Sequence, residues 1–259
     1  MNRKVVCWTA AIAFAALVGG CSKSSNETEQ QQPAAAATKT IDPATVGSIS
    51  GTIKLDGTAP KYKPINMSAD PYCVKANKTP VYPDEVVTGD GNTLANVIVY
   101  VKSGAEGYSF PTPSDAVTLD QKDCMYNPHV VALMVGQQFK VVNSDDTTHN
   151  IHPTPTDNRE WNKSQPPNAP PIEETFARPE VAIPVKCNVH PWMKGYIGVM
   201  ANPFYIVTDK DGKFDLKGLP PGTYTIEAWQ EKYGTQDQTV TIGAKEDKTG
   251  VDFTFKAGS

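Results

Sequence analysis

The segment Cys187-Asn-Val-His190-Pro-Trp-Met193 carries a thiol, an imidazole and a thioether within seven residues, and His149 adds a second imidazole 38 positions upstream. Two His and one Cys in a trigonal plane with a weak axial Met are the ligands of a copper electron-transfer centre. A structural zinc site takes four Cys or His and no thioether. The mixture of soft sulfur and imidazole therefore points to copper, with His149, Cys187, His190 and Met193 as its ligands. Singly, each has a plainer explanation: a hydrogen-bonded surface His, a buried apolar Cys, a packing Met. Together they recur at the spacing of one coordination shell.

Other chemistry finds little support. No Ser-His-Asp arrangement, Gly-rich phosphate loop or paired-acid constellation stands out, and the absence of Cys-x-x-Cys-His argues against covalent haem. Catalytic copper of the multicopper-oxidase or nitrite-reductase kind needs more imidazoles than His129, His149, His152 and His190, the four in the chain. The chain is therefore read as a carrier and not an enzyme. His152 lies three positions after His149, and positions three apart on a strand face opposite sides, so it is set aside unless Pro153 bends the chain. His129 is read as a surface residue or a neighbour of the ligands, and Met200 as core.

The site must be positioned by strands. Ser48–Leu55 alternates and ends at Asp56-Gly57, a strand and a turn. Val97–Val101, Lys213–Leu216, Thr223–Trp229, Thr239–Ile242 and Val251–Phe255 are further strands, and Gly218-Leu-Pro-Pro-Gly222 is a breaker. With 22 Pro and 19 Gly mostly between these runs, the fold class is all-β. Two more strands, separated by a turn at Gly136, precede His149; Asn143–Asp146 ends the second, and His149 begins the next. Pro153–Pro171 shows no clear strand pattern. Asp209 and Asp211 beside Gly212 are too few for a calcium loop and read as a turn.

Asn2-Arg-Lys4 followed by the apolar run Val5–Val18 is too short to span a bilayer, which takes about 20 residues, and reads as an export signal. Its ending, Val18-Gly-Gly-Cys21, resembles the lipobox of bacterial lipoproteins. The resemblance implies cleavage after residue 20, acylation of Cys21 and anchoring by several acyl chains. With Ser22 rather than Asp next, it implies the periplasmic side of an outer membrane or the cell surface. Residues 21–46 are polar and Ala-rich, with little to bury, and are expected to be a disordered tether. Loss of Arg3 and Lys4 moves the net charge from −4 to −6, 22 basic against 28 acidic side chains. That balance gives no basic stripe for nucleic acid and suits a basic protein partner. With Cys7 in the signal, Cys21 lipidated and Cys187 on metal, Cys73 and Cys124 remain as an even pair. An oxidising compartment makes them a disulfide, the alternative being two free buried thiols.

Two parts of the chain resemble known families. Asp209–Ala228, with Gly-Leu-Pro-Pro-Gly-Thr-Tyr at its centre, resembles the carboxypeptidase regulatory-like β-sandwich, and Ser48–Leu55 and Leu94–Tyr100 look like that domain's first strands. Tyr126-Asn-Pro, the Met134-Val-Gly turn, the Asn143-x-Asp exit and the lone His149 resemble the cupredoxins. Cys187–Met193 resembles the ligand loop of the amicyanin type within that family. The implied architecture is a cupredoxin Greek-key β-sandwich over residues 104–203. It is carried by a second, split sandwich over 47–103 and 204–257, after a signal over 1–20.

The cupredoxin resemblance implies one type-1 copper on His149, Cys187, His190 and Met193. Asn150 would brace the loop, and Pro191 and Trp192 would form the apolar rim through which the electron leaves. The implied function is a membrane-tethered carrier shuttling single electrons between exported partners such as c-type cytochromes or a dehydrogenase. The alternatives are copper storage or delivery, and a carbohydrate- or protein-binding module with Trp161, Trp229 and Tyr233 as candidate platform residues.

Overall fold

The computed structural model describes residues 39–258. The signal 1–20, Cys21 and most of the tether lie outside the described residues. Among the described residues there is one α-helix, Pro71–Ala76, and the rest of the regular structure is almost all strand, in agreement with the all-β expectation.

Four sheets stack face to face through three cores. The first places Gly47–Asp56 between Lys213–Leu219, antiparallel, and Asp247–Lys248 and Phe253–Lys256, both parallel to it. The second orders Tyr205–Val207, Ile98–Ser103, Gly222–Gln230 and Gly234–Ile242, all antiparallel. Their facing sides bury Ile49, Ile53, Leu55, Val99, Val101, Phe214, Leu216, Ile226, Ala228, Phe253 and Phe255, the alternating positions seen in the sequence. Tyr224 closes this core by donating its hydroxyl to Pro220 O at 2.5 Å.

The third sheet orders Val130–Met134, Lys194–Met200, Glu180–Lys186, His149–Pro153 and Lys163–Gln165. The fourth orders Met125–Asn127, Val117–Lys122, Phe139–Asn143 and Ile172–Glu174. Between them lie Leu119, Tyr126, Leu133, Phe139, Val141, Ile151, Ile183, Val185, Ile197 and Val199. The two strands flanking Gly136, whose φ is +75°, go to different sheets: the chain crosses the sandwich at this turn. Crossing also explains the parallel pairs Val117–Lys122 with Phe139–Asn143 and Val130–Met134 with Lys194–Met200.

A third, smaller core joins the second and third sheets. Ile98 turns away from its neighbours Val97 and Val99 to meet Val130 and Met200, with Tyr100, Tyr196 and Trp229 packed around them. Burying a side chain of this size contributes roughly 1.5–3 kcal/mol, so the two sandwiches share a real apolar seam. Buried Met200 meets its core assignment.

Three expectations need correction. Residues 39–46, read as tether, lie on the body: Lys39 N–H donates to Gly107 O, and Lys245 N–H to Thr45 O. Backbone pairing and a turn capped by Asp42 hold them there despite their polarity. The stretch 153–171 contains strand Lys163–Gln165, because buried Gln165 receives Gln121 Nε2 at 2.6 Å and donates to Val141 O and Pro170 O. His129, read as a surface residue or a neighbour of the ligands, is off the surface. It is buried, with Nε2 2.6 Å from Glu231 Oε1 and the two sandwiches bridged between them.

Candidate metal centre

Strands Glu180–Lys186 and Lys194–Met200 are antiparallel neighbours, and Cys187–Met193 is the loop that joins them. The loop is closed by Cys187 N–H on Met193 O at 3.1 Å and Met193 N–H on His190 O at 2.9 Å. Strand His149–Pro153 pairs with Glu180–Lys186 through His152 opposite Lys186, which brings His149 to the same end of the sandwich. The structure thus gathers three of the expected ligands. His149 Nδ1 and His190 Nδ1 are 2.9 Å apart, and Cys187 Sγ is 3.8 Å from His190 Nδ1. These three side chains form a group able to hold one metal ion. His149, Cys187 and His190 are at most 2% exposed, and Met193 is fully buried on the same loop.

Asn150 occupies the bracing position expected of it. Its Oδ1 accepts the N–H groups of Asn188 at 2.6 Å and Val189 at 3.3 Å, while its own N–H points at Cys187 Sγ at 3.5 Å. His190 N–H also points at Sγ, at 3.3 Å. Burial alone would push the Cys187 thiol up, yet contact with His149 and these backbone amides holds it below its usual range. The donor set is therefore a thiol poised to ionise beside two imidazoles, which fits a soft or borderline ion.

Two residues that sequence reasoning missed complete the geometry. Asp145 Oδ2 lies 2.8 Å from His149 Nε2, and Asp70 Oδ2 lies 2.9 Å from His190 Nε2. Each imidazole thus keeps Nδ1 for the interior and gives its other nitrogen to a carboxylate, the arrangement that fixes ring orientation and tautomer in metal sites. Burial would push the His149 imidazole down, and Asp145 and Cys187 together hold it above its ordinary value. Burial likewise opposes ionisation of Asp70, but His190, Thr147 and the Tyr72 amide hold its carboxyl below the usual range. A local signal existed for Asp145: Asn143 Oδ1 accepts its N–H in a two-residue turn. Asp70-Pro71 is a helix N-cap signature, but nothing local ties it to His190.

Of the expected rim residues, Pro191 is exposed and Trp192 is half-buried; Trp192 donates Nε1–H to Cys124 O at 3.1 Å, its ring 5.0 Å from that of His190. With Asp70 beside it, His190 is only 1% exposed. His152 stays out of the group, with Nε2 2.6 Å from Glu160 Oε1. Cys73 and Cys124 form a disulfide. Trp161, Trp229 and Tyr233 are each half-buried, and they pack on three different cores. Asp209 and Asp211 make a turn, Asp211 N–H donating to Asp209 Oδ1.

Residues 199–256 match the family model of the carboxypeptidase regulatory-like domain, the family that the Gly218–Tyr224 motif resembles. No curated relative matches the chain. Among solved structures, the chain is similar to a Cu-containing nitrite reductase (NirK) from Thermus scotoductus SA-01, at 18% identity and TM-score 0.31, over 48% of this chain and 28% of that one. It is also similar to a purple cupredoxin from Nitrosopumilus maritimus, at 20% identity and TM-score 0.28, over 33% of this chain and 100% of that one. A mutant of amicyanin in its Cu(I) form matches at 21% identity and TM-score 0.29, over 33% of this chain and 82% of that one. These likenesses are local: the chain spans 28% of the nitrite reductase's length.

Proposed function

We propose that this chain is an exported copper protein, anchored through lipid on Cys21, that passes single electrons between exported redox proteins such as c-type cytochromes or a dehydrogenase. The observation that carries the reading is the convergence of His149 Nδ1, His190 Nδ1 and Cys187 Sγ within one buried group, with Met193 on the same loop. Copper bound there would supply a one-electron Cu(I)/Cu(II) couple. The protein's part is to keep the donors fixed in both states. Asn150 holds the Cys187–His190 turn by two amides, and the aspartates hold both rings. The apolar core behind Met193 excludes water. Trp192, in contact with His190, is the side chain through which an electron would reach the surface.

Burial favours a carrier over storage or delivery, because a metal that is handed on needs exposed donors, and these are covered. Visible absorption of the Cu(II)-loaded protein beside Cys187→Ser tests the reading. An intense thiolate-to-copper band, absent in the variant and bleached by reductant, is expected. Folded, loaded protein without such a band would overturn it.

A further inference from the structure

The geometry points to Asp70 and Asp145 as positioning residues for the centre, mounted together on the Cys73–Cys124 disulfide as one brace that holds both imidazoles from outside. The inference rests on the copper reading and deepens it.

Each carboxylate is itself held. Asp145 Oδ1 accepts Asp123 N–H at 2.8 Å and the Tyr72 hydroxyl at 3.2 Å, and its Oδ2 accepts Cys124 N–H at 2.8 Å besides facing His149. Asp70 Oδ1 accepts Tyr72 N–H at 2.7 Å, and its Oδ2 accepts the Thr147 hydroxyl at 2.9 Å besides facing His190. Tyr72 therefore binds one aspartate through its backbone and the other through its phenol. Cys73 and Cys124, adjacent to these contacts, are covalently joined across 51 positions. Asn77 closes the unit by donating to both Cys73 O at 3.0 Å and Asp123 O at 2.9 Å. Trp192 Nε1–H on Cys124 O ties the ligand loop to the same unit. Residues from three separate stretches of chain thus meet at the outer nitrogens of two rings.

A plain structural staple would need none of this aimed at the rings. Here Asp70, on the Cys73 side of the disulfide, faces His190 Nε2, and Asp145, held by the Cys124 N–H, faces His149 Nε2. A carboxylate hydrogen-bonded to a ligand ring makes the ring a better donor and favours the more highly charged state of a bound metal.

The decisive variant is Asp70→Asn, because Asn also serves well as an N-cap and removes the charge with little change of shape. Its reduction potential should rise. A tenfold loss of Cu(II)-over-Cu(I) preference corresponds to about 59 mV for a one-electron couple. Cys73→Ala/Cys124→Ala should raise the potential further, because both aspartates are loosened together. A second readout needs no metal: in metal-free protein, nitrogen-edited NMR should show a His190 Nε2–H proton protected from solvent exchange, and Asp70→Ala should release it. A thiolate band with potential unchanged in Asp70→Asn, or His190 exchange unchanged in Asp70→Ala, would overturn the brace and leave the copper reading standing. No copper uptake, with exchange at His190 still governed by Asp70, would instead sink the copper reading.

Discussion

The Nδ1 atoms of His149 and His190 stand 2.9 Å apart, although 41 positions separate the residues. Each Nε2 is directed at a carboxylate, which leaves both Nδ1 atoms beside the Cys187 thiol. A metal ion held by this group would take its ligands deprotonated, the Cys187 thiol included. Calorimetric titration with copper in buffers of different ionisation enthalpy should therefore show release of at least one proton. Metal uptake without proton release would contradict ligation by the Cys187 thiolate.

Asn150→Ala should loosen the ligand loop without unfolding the protein. Asn188 and Val189 amides lose their acceptor, and the Asn162 amide contact goes with them. Loss of an outer partner of this kind costs about 10- to 100-fold in metal affinity. Competition against a copper chelator measures it, and an unchanged affinity would remove Asn150 from the account.

Opening the disulfide by Cys73→Ala/Cys124→Ala should destabilise the fold. A 51-residue separation corresponds to about 4 kcal/mol of loop-closure entropy at 25 °C. Denaturant unfolding of the oxidised protein and the variant gives the difference. A change below a quarter of that value would mean that the unfolded chain is already constrained there.

Met200→Ala should weaken the seam between the two sandwiches. Met200 is buried with Ile98 and Val130, and a Met→Ala cavity of this kind costs about 2–5 kcal/mol. Unfolding of the variant in two transitions is the further expectation, read by near-ultraviolet dichroism alongside fluorescence. Unfolding as one transition at unchanged midpoint would show the seam to be superficial.

Glu180 accepts the N–H groups of Thr156, Asp157 and Asn158 and the Asn158 side-chain amide. Burial opposes its ionisation, but these donors win and lower its pKa. A carboxyl lowered in the folded state stabilises above its unfolded pKa of about 4.3 and loses that contribution as pH falls through the folded value. Glu180→Gln should therefore be less stable than the parent at pH 7, with the gap closing in acid. A gap independent of pH would show that charge plays no part there.

Much of the site was legible because its information is local. Cys187, His190 and Met193 lie on one loop, and the alternation of Phe139–Asn143 set where the strand carrying His149 had to begin. What stayed hidden depends on chain segments that meet only after folding. Asp70 comes from a Pro-rich stretch with no periodicity; Asp145 lies in a turn that Asn143 signals locally, but its aim at His149 appears only once the turn has folded. His129 looked like a surface residue because Glu231, its buried partner, lies 102 positions away. The bond from Trp192 to the carbonyl of Cys124 likewise forms only after folding. The alternating strands told which residues face inward; they could not tell that Ile98 and Met200 would join two sandwiches through their outer faces.

The central claim is that His149, Cys187 and His190 share one copper ion. X-ray absorption at the copper edge of protein loaded one-to-one tests it directly. One sulfur and two imidazole nitrogens should surround the copper, with the sulfur lost in Cys187→Ser and one imidazole lost in His149→Ala. A shell of oxygens and nitrogens without sulfur, unaltered by either substitution, would contradict it.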